Sequence, residues 1–389
     1  MVHKYSELDL MQARIKDVPK GWNFLPIAKA FKIRNDLRKP ISDEIRSTQQ
    51  GSYPYYGPTK IQDYIDTYEQ DGSFALIGED GDHFLKYKSQ SMTQLVDGKC
   101  TVNNHAHIIE GTDLASREWF YYYFMHRDIY SYLSRQGAGR YKLNKASLEK
   151  IYVLIPPSEE QEKIAKILST WDQAISATEK LLENSQQQKK ALMQQLLTGK
   201  KRLLDENGVR FSGEWQRFSL GSIAKVYQPR TISQSELSSD GYPVYGANGV
   251  IGYYSDFNHE LEQIAVTCRG STCGVVNWTA PKSWITGNAM VINVDGSISV
   301  DKKFLFYVLG SSDLKYLITG SGQPQITGDI KNHVVNLAPI KEQKTIAHVL
   351  TLADNEIDAL KYEIECLKQE KKALMQQLLT GKKRVKVAA

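Results

Sequence analysis

KKALMQQLLTGKKR occupies residues 189–202 and returns without a single change at residues 371–384. Extended backwards without a gap, residues 155–202 match residues 337–384 at 25 of 48 positions. Unrelated segments of ordinary composition would agree at roughly one position in twenty. The chain therefore contains a true internal duplication, and its period is far too long for a solenoid repeat.

Both copies have the pattern of a long amphipathic helix. Apolar residues follow a 4-3-4-3 spacing from Ile346 to Leu378, and the first copy keeps this seam with more polar breaks from Ile164 to Leu196. Each copy ends at Thr-Gly, where glycine stops the helix, and the basic residues that follow suit the negative helix end. Each helix is expected to run about 40 residues, or about 60 Å.

The seam of each helix must be covered, and the other copy is the nearest available cover. Two copies related by an approximate two-fold axis across their length run in opposite directions, so we expect an antiparallel coiled coil within the chain. The pattern alone also allows a generic coiled coil that dimerises the protein.

The segments ahead of the two helices are more distantly related to each other. The matching stretches are Tyr53-Pro-Tyr-Tyr-Gly57 with Tyr242-Pro-Val-Tyr-Gly246, Asn104-His-Ala-His-Ile-Ile109 with Gly287-Asn-Ala-Met-Val-Ile292, and Trp22 plus Ile27-Ala-Lys29 with Trp215 plus Ile223-Ala-Lys225. Short β-favouring runs alternate with Gly, Asn and Pro turns, for example at 74–77, 264–267 and 290–294. Each segment is expected to end in an amphipathic helix (119–134; 304–317), a Gly-rich loop and a strand (151–155; 334–337).

The predicted fold class is therefore α+β. Two globular domains are expected in an inverted pseudo-two-fold arrangement, separated by the two long helices of the antiparallel coiled coil. The expected boundaries are a first globular domain at 1–155, a first helix at 156–202, a second globular domain at 203–337, and a second helix with a basic tail at 338–389.

Aromatic, amide and basic side chains collect in the loops of both globular segments. Arginine, glutamine and asparagine can bond two edge atoms of guanine or adenine, while lysine and small Gly, Ser or Thr loops suit phosphate oxygens. The candidate DNA-binding residues are Tyr55, Tyr56, Thr59, Lys60, Arg135, Gln136, Arg140, Tyr141 and Lys142 in the first segment, and Tyr245, Asn248, Arg269, Ser271, Thr272, Gln323 and Gln325 in the second. Any single loop could equally be a plain turn. Related loops with different side chains in both segments favour two readers with different targets.

Composition adds modest constraints. The net charge of +5 comes from the helical segments, so contact with DNA must come from local clusters. No stretch approaches the roughly 20 apolar residues of a membrane span, and the N-terminus lacks a signal pattern. The four cysteines are scattered, which suits a reducing compartment. We expect a cytoplasmic protein without membrane contact.

Catalytic motifs are missing. The sequence has neither the Asn/Asp-Pro-Pro-aromatic motif of an adenine methyltransferase nor a phosphate-binding G-x-x-x-x-G-K-[ST] loop. Cys268 and Cys273 lack a second pair at zinc spacing, and His105 and His107 fit a strand better than a metal site. A nuclease-like set, Asp295 with Asp313-Leu-Lys315, arises easily by chance. We expect no enzyme activity and no metal in this chain.

The chain closely resembles, over essentially its whole length, the specificity subunits of type I restriction–modification systems. The resemblance is carried by Pro-Pro-Ser-Glu-Glu-Gln at 156–161 and Ala-Pro-Ile-Lys-Glu-Gln at 338–343, by the Leu-Leu-Thr-Gly-Lys-Lys-Arg ends at 196–202 and 378–384, and by Phe211-Ser-Gly-Glu-Trp215. It implies two target-recognition domains that read the halves of a bipartite, asymmetric site on double-stranded DNA through major-groove loops.

The resemblance also implies partners. The helices would act as a ruler between the half-sites and dock two methyltransferase subunits, which use S-adenosylmethionine to methylate adenines. Restriction and translocase subunits would add ATP- and Mg²⁺-dependent cleavage, and this chain itself would hold no cofactor. Where the second segment has Arg269-Gly-Ser-Thr272, the first has Glu79-Asp80-Gly81-Asp82, whose carboxylates could accept from cytosine or cap a turn. The alternatives are a coiled-coil adaptor protein and a self-contained DNA nuclease.

Overall fold

The computed structural model describes residues 5–136, 140–247, 249–320 and 322–386, without the side chain of Gln136. The described chain divides into two compact units, and the division falls inside both long helices. Unit 1 comprises the chain up to Thr178 together with the segment from Glu363 onward, and unit 2 comprises Glu179–Tyr362. Each unit therefore contains one half of each long helix.

Unit 1 is built on a six-stranded sheet. The ten strands of unit 1, six of which form this sheet, are β1 (Asn23–Pro26), β2 (Lys32–Ile33), β3 (Gln50–Tyr56), β4 (Ile61–Ile65), β5 (Gln70–Gly78), β6 (Thr93–Val102), β7 (Ala106–Glu110), β8 (Ser134–Gln136), β9 (Arg140–Lys142) and β10 (Tyr152–Ile155). The helices of unit 1 are α1 (Glu7–Gln12), α2 (Ile27–Ala30), α3 (Asp43–Thr48), α4 (Arg117–Phe124), α5 (Lys145–Lys150), the start of α6 (Ser158–Leu196) and the end of the last helix, α9 (Ile340–Leu378). The sheet order is β2-β7-β5-β6-β3-β4, and only β3 and β6 run parallel. Strands β1 with β10, and β8 with β9, form separate antiparallel pairs.

Helix α4 closes the core of unit 1 with an aromatic face. Trp119, Phe120 and Phe124 are buried within the cluster that also contains strand residues Ala75 and Ile77. The hydroxyl of Ser116 accepts a hydrogen bond from the backbone N–H of Trp119 at 3.1 Å, so a serine cap fixes where the helix begins. Burying such large side chains contributes roughly 1.5–3 kcal/mol each, which makes this face the main anchor of the helix.

Unit 2 repeats this plan with shorter strands. They are β11 (Gln216–Ser219), β12 (Lys225–Tyr227), β13 (Tyr242–Gly246), β14 (Gly249–Tyr254), β15 (Ile264–Thr267), β16 (Val276–Trp278), β17 (Trp284–Ile285), β18 (Ala289–Asn293), β19 (Ile318–Thr319), β20 (Gln325–Ile326) and β21 (Val334–Leu337). Its helices are the end of α6, α7 (Leu220–Ile223), α8 (Lys302–Ser311) and the start of α9 (Ile340–Leu378). The sheets are β12-β18-β15-β16 and β14-β13-β17, with β13 and β17 parallel, and two-stranded pairs form from β11 with β21 and β19 with β20.

The predicted strands agree with the observed ones. The runs at 74–77 and 264–267 lie in β5 and β15, and the run at 290–294 lies in β18 except for Val294. The final strand predicted at 151–155 is β10 without its first residue, and the one at 334–337 coincides with β21. The α+β class is confirmed, with a sheet-based core in each unit.

The two helices expected at 119–134 and 304–317 were predicted too long. Helix α4 ends at Phe124 and α8 at Ser311. After each of them an aspartate side chain accepts a backbone N–H two residues further on: Asp128 from Tyr130 at 2.9 Å, and Asp313 from Lys315 at 3.0 Å. This local bond competes with the helical pattern and starts a 3₁₀ turn instead.

One detail of the predicted internal match was wrong. Ile27 was matched to Ile223, but its structural counterpart is Leu220. Both residues are fully buried, and both backbone N–H groups donate at 2.8 Å to the carbonyl just before the last strand, that of Ile151 or of His333. The sequence match was misled by the shared Ile-Ala-Lys letters.

The long helices run antiparallel inside each unit. In unit 1, Lys371 of α9 binds Asp172 of α6 at 2.5 Å, and Arg384 beyond α9 reaches Glu160 near the start of α6. In unit 2, Lys189 of α6 pairs with Asp354 of α9, and Arg202 beyond α6 reaches Glu342 near the start of α9. In both units a residue that comes later along the first copy pairs with a residue that comes earlier along the second, which confirms the expected antiparallel direction within each unit.

Half of the predicted seam positions are buried, and the other half are partly buried. The buried seam residues are Ile164, Leu168, Thr178 and Leu196 on α6 and Ile346, Leu350, Ile357, Ile364, Lys371 and Leu378 on α9. The buried lysine is tolerated because Asp172 supplies the opposite charge. The role of the helices as a ruler stays a prediction.

The basic helix ends form clasps rather than merely complementing the helix dipole. Glu342, whose side chain is fully buried, accepts from Arg202 Nε at 2.5 Å, from Arg202 Nη2 at 2.6 Å and from Trp215 Nε1 at 3.3 Å. In unit 1, Glu160 accepts from Arg384 and from Trp22 Nε1 at 3.2 Å in the same way. A bidentate arginine–carboxylate pair joins the end of one long helix to the start of the other.

The glycines that end the helices differ in their surroundings. Gly199 and Gly381 both have φ of +69°, a backbone conformation that residues other than glycine rarely adopt. A Cβ on Gly381 would collide with the ring of Pro19, whereas one on Gly199 would meet nothing closer than Trp215 at 3.5 Å. In the described part of the chain, no helix combines the length and the apolar character needed to cross a membrane.

Candidate nucleic-acid interface

Four loops of unit 2 meet at one place. Arg269 and Gln325 form an isolated antiparallel bridge, and the N–H of Gly270 donates to the carbonyl of Pro324 at 3.0 Å. On the other side, the hydroxyl of Thr267 donates to the carbonyl of Ala247. The N–H of Cys268 donates to the carbonyl of Asn288 at 3.0 Å, which brings in the fourth loop. Residues far apart in sequence are thus held side by side.

This loop cluster exposes most of the predicted contact residues of unit 2. Arg269, Ser271, Gln323 and Gln325 are exposed, and Thr272 is half-buried. Asn248, also predicted, lies outside the described residues. An exposed arginine beside an exposed glutamine offers hydrogen-bond donors for guanine and both a donor and an acceptor for adenine.

Tyr245 has a more structural position than predicted. It is half-buried, and its hydroxyl accepts the N–H of Ala280 at 2.9 Å. Its carbonyl accepts the N–H of Thr286 at 2.9 Å. Its main contacts therefore hold the β13–β14 hairpin against its neighbours.

The corresponding loops of unit 1 also converge. Asp80 bridges to Lys142, the N–H of Gly81 donates to the carbonyl of Tyr141 at 3.0 Å, and that of Leu143 donates to Glu79 at 2.7 Å. The N–H of Glu79 donates to the carbonyl of His105 at 2.8 Å.

The turn after β3 joins the same cluster. The carbonyl of Tyr56 accepts the N–H of Asn103 at 3.0 Å, and a Cβ on Gly78 would lie only 3.1 Å from the carbonyl oxygen of Pro58. The β3–β4 turn, the loop after β5, the β6–β7 turn and the β8–β9 hairpin thus correspond to the four loops of unit 2.

The predicted contact residues of unit 1 divide into two groups. Lys60, Arg135 and Arg140 are exposed, while Tyr56, Thr59 and Lys142 are half-buried. The backbone of Gln136 lies in β8, and its side chain is outside the described residues. The three exposed cations form the available surface for a polyanion.

Two of the predicted contacts in unit 1 are wrong because their side chains are buried. Tyr55 is 1% exposed, and its hydroxyl accepts the N–H of Ile41 at 2.9 Å. Tyr141 is 9% exposed, and its hydroxyl accepts from Arg135 at 2.7 Å. Strand alternation turns both rings inward, so they support the loops instead of reaching DNA.

Glu79 is the centre of an ionic cluster beneath the unit 1 loops. Its carboxylate pairs with Arg38, lies 3.3 Å from Lys142 Nζ and is 3.8 Å from His107 Nδ1. Burial would raise the pKa of Glu79, but the hydrogen bonds and charges around it, led by the hydrogen bond from Arg38, outweigh burial and lower it. The carboxylate stays ionised and occupied by cations, so it neither caps a simple turn nor stands free for cytosine.

His107 takes part as a neutral ring. Burial lowers its pKa, and its Nε2 lies 2.7 Å from the carbonyl of Leu143, which can only accept. The proton is therefore on Nε2, and Nδ1 accepts from the side-chain amide of Asn35 at 2.9 Å. His107 lies in β7, as the sequence predicted; His105 precedes that strand and pairs with Asp80 at 2.8 Å.

Sequence reasoning missed Arg38 and Gln228, which have similar positions in the two units. Arg38 Nη1 donates to the carbonyl of Asn104 at 3.1 Å, and Gln228 Nε2 donates to that of Gly287 at 3.3 Å. Arg38 follows strand β2 and Gln228 directly follows strand β12, and neither residue belongs to a repeated motif. The only sequence signal was the match of Asn104 with Gly287, whose carbonyls accept these two hydrogen bonds.

The aspartates of the nuclease-like set have other partners in the described structure. Asp295 is tied to Lys302, to Gln263 at 2.7 Å and to Asn293 at 2.8 Å, while Asp313 caps a turn. Asp313 was expected to lie on the helix predicted at 304–317, but it lies beyond the end of α8. Among the described residues, no three His, Cys, Asp or Glu side chains group as a metal site would require.

The identical fourteen residues line a groove in each unit. In unit 1 a groove of about 450 Å³ is bordered on α9 and just beyond it by Lys372, Met375, Gln376, Leu379 and Thr380. In unit 2 a groove of about 460 Å³ is bordered on α6 and just beyond it by Lys190, Met193, Gln194, Leu197 and Thr198. These are the same five residue types at the same repeat positions, so the two grooves share one chemical wall.

Known proteins of similar sequence and fold were found. The family described as "Type I restriction modification DNA specificity domain" matches residues 19–185 and 212–369. A putative type I restriction enzyme specificity subunit of Haemophilus influenzae is 26% identical over 360 residues, covering 87% of this chain and 90% of its own length. The type I restriction enzyme MjaVIII specificity subunit of Methanocaldococcus jannaschii is 24% identical, covering 98% and 97%.

A solved structure shares the fold. The S subunit of a type I restriction–modification system from M. genitalium superposes with a TM-score of 0.68 at 16% identity, covering 94% of this chain and 98% of its own. The two family matches together span most of the chain and coincide with the duplicated architecture. The chain belongs to the family of type I restriction–modification DNA specificity subunits.

Proposed function

We propose that this chain is a non-catalytic subunit that reads a split DNA sequence, one half with each unit. The observation that carries the proposal is the pair of corresponding loop clusters, built on the same strands but presenting different side chains. Unit 1 offers the cations Lys60, Arg135 and Arg140, and unit 2 offers Arg269 beside Gln325. Two related frames with different exposed groups suit two different half-sites.

The side chains suggest how the reading is divided. Arg269 can bond guanine through two donors, and Gln325 can bond adenine through its amide, so this pair would read bases. Lysine is better suited to phosphate as a point charge, so Lys60 would fix the position of unit 1 on the backbone.

The two grooves support a symmetric mode of partner binding. Their shared wall and its lysines suit an apolar segment with acidic groups, presented twice by copies of the same protein. We assign this role to two methyltransferase subunits, which would supply the S-adenosylmethionine chemistry on adenine. Restriction and translocase subunits would bring the ATP and Mg²⁺ steps, in the cytoplasm.

Mapping methylated adenines tests the reading function. The chain would be expressed with its methyltransferase in a host that lacks other adenine methylation, and modified sites would be read across the genome. A two-part motif with a fixed gap is expected. Methylation or DNA cleavage by the purified chain alone, or the absence of any sequence dependence with the partner present, would refute the proposal.

Substitutions in unit 2 test the division of labour. Arg269→Ala and Gln325→Ala should each relax recognition within one half-site, because each removes one bidentate contact worth about 1–3 kcal/mol of discrimination. The other half-site is the internal control. A uniform loss over both halves would contradict separate readers.

A length change in the helices tests the ruler. Inserting seven residues within 180–190, with the matching insertion at 362–372, adds about two helical turns to both helices and keeps their apolar seams in register. The motif should keep both half-sites and acquire a longer gap. An unchanged gap would show that the helices do not set it.

A further inference from the structure

We infer that Glu79 and Arg38 are positioning residues that set the unit 1 loops for reading the first half-site, and that neither contacts a base. This inference rests on the proposed function. It assigns a specificity role to a charged cluster that is too enclosed to touch DNA directly: Glu79 and Arg38 expose only 12% and 20% of their side chains.

The cluster ties together three of the four segments that build the unit 1 interface. Glu79 belongs to the loop after β5, and its carboxylate holds Lys142 of β9 in the β8–β9 hairpin. Arg38, from the segment after β2, binds the same carboxylate and donates to the carbonyls of Asn104 and Ala106 at 3.1 and 3.4 Å. One carboxylate and one guanidinium therefore fix the relative positions of three chain segments.

Lys142 shows how positioning reaches the DNA-facing side. It was predicted as a DNA contact, and it is half-buried with its Nζ turned to Glu79 at 3.3 Å. Arg140 lies two residues earlier on the same strand and is exposed. Since side chains two apart project from the same face of a strand, the anchoring of Lys142 also fixes the direction in which Arg140 points.

In unit 2 the loops are held at the corresponding place by uncharged side chains. At the corresponding place Cys268 accepts from Gln228 Nε2 at 3.1 Å, and its thiol faces the carbonyl of Gly287 at 3.5 Å. Cys268 and Glu79 are equivalent by their backbone contacts, because Ile326 and Leu143 donate to their respective carbonyls. The sequence comparison, which set Arg269 against Glu79, was therefore wrong by one residue. The two readers therefore differ in the element beneath their loops as well as in the side chains above them.

Glu79→Gln is the decisive variant because it keeps the size of the side chain and removes its charge. Arg38 and Lys142 then lose their shared counter-ion, and the loops that they hold are expected to shift. The predicted result is a loss of about tenfold in discrimination, spread over all positions of the first half-site, with the second half-site unchanged.

The assay uses the wild-type or variant chain assembled with its methyltransferase. Duplexes carry the mapped site with each position of both halves randomised in turn, and the methylated fraction is sequenced. The measurement is made at a temperature where near-ultraviolet circular dichroism shows both proteins folded, so that a general loss of stability does not enter.

A second variant separates positioning from reading. Combining Arg38→Met with Glu79→Gln removes both positioning residues, and the double variant should lose little more first-half discrimination than Glu79→Gln does alone, because residues that act through one ion pair have non-additive effects. Fully additive losses from Arg38→Met and Glu79→Gln would overturn the inference, because they would show that the two residues act separately.

Three other outcomes would also overturn it. A loss confined to a single base pair would make Glu79 a direct reader, an equal loss in both half-sites would make the effect global, and unchanged discrimination would remove any role. Failure of the proposed function looks different, because then the wild-type complex itself would recognise no two-part site.

Discussion

Removing Arg202 should open the junction between the end of α6 and the start of α9. In Arg202→Ala the carboxylate of Glu342 stays in a fully buried position with only the indole of Trp215 as donor. Breaking a buried pair by deleting one partner costs about 3–5 kcal/mol.

Hydrogen exchange measured by mass spectrometry is the suitable assay, because it reports local opening in a protein with more than one unit. Amides in peptides covering 196–204 and 340–347 should exchange roughly 10²- to 10³-fold faster in Arg202→Ala at pH 7.

Two variants serve as controls. Lys201→Ala removes the neighbouring positive charge, which takes no part in the clasp, and should leave exchange near the wild-type rate. Arg384→Ala breaks the unit 1 clasp, but Arg384 is 40% exposed against 20% for Arg202, so solvent should soften the loss. A change of less than about threefold in Arg202→Ala would refute the reasoning.

Three further predictions can be checked by thermal unfolding and the same exchange measurement. Gly381→Ala should destabilise unit 1 by about 2–4 kcal/mol, through a strained φ and a collision with the proline ring, while Gly199→Ala should cost unit 2 only the strain of about 1–2 kcal/mol; equal effects would contradict the described packing. Tyr307→Phe should cost about 1.5–3 kcal/mol, because the Tyr307 hydroxyl donates to Asp354 Oδ2 at 2.6 Å, and an effect below about 0.5 kcal/mol would show that water replaces the bond. Burial lowers the pKa of His83 to about 4 from 6.5. Between these two pH values the unfolded chain binds a proton that the folded chain does not, so unit 1 should lose stability as pH falls from about 6.5 to about 4. His83→Gln should remove that part of the pH dependence.

The duplication made much of the architecture predictable. Fourteen identical residues and a regular apolar spacing indicated two long helices, and the structure has them at Ser158–Leu196 and Ile340–Leu378. The antiparallel direction within each unit followed from symmetry alone. These features were accessible because helical periodicity is a local property of the sequence.

The candidate interface was predicted less completely. The loops that carry Arg269 and Gln325 were identified, and the structure brings those two residues together. Tyr55 and Tyr141 were misjudged because a tyrosine in a short strand beside a glycine turn gives no sign of which face is buried. Burial is decided by the partner strands, and sequence spacing did not reveal their register.

The ionic contacts could not have been foreseen from the sequence. Arg384 and Glu160 are separated by 224 positions, and each looks like an ordinary surface charge near a helix end. Glu79 was noticed only as a departure from Arg269-Gly-Ser-Thr272. Its partners Arg38 and Lys142 come from distant segments, and charge pairing between such segments leaves no periodic pattern.

The way the chain is shared between the units has a consequence for biosynthesis. Unit 2 is one continuous stretch, whereas the core of unit 1 includes Met375, Leu378 and Leu379 from the far end of α9. On the ribosome, the unit that emerges first must wait for the last segment before its core can close, so folding is expected to finish at the N-terminal unit. A stop codon shortly after Tyr362 would spare the later-made unit and leave the earlier one with an open apolar side.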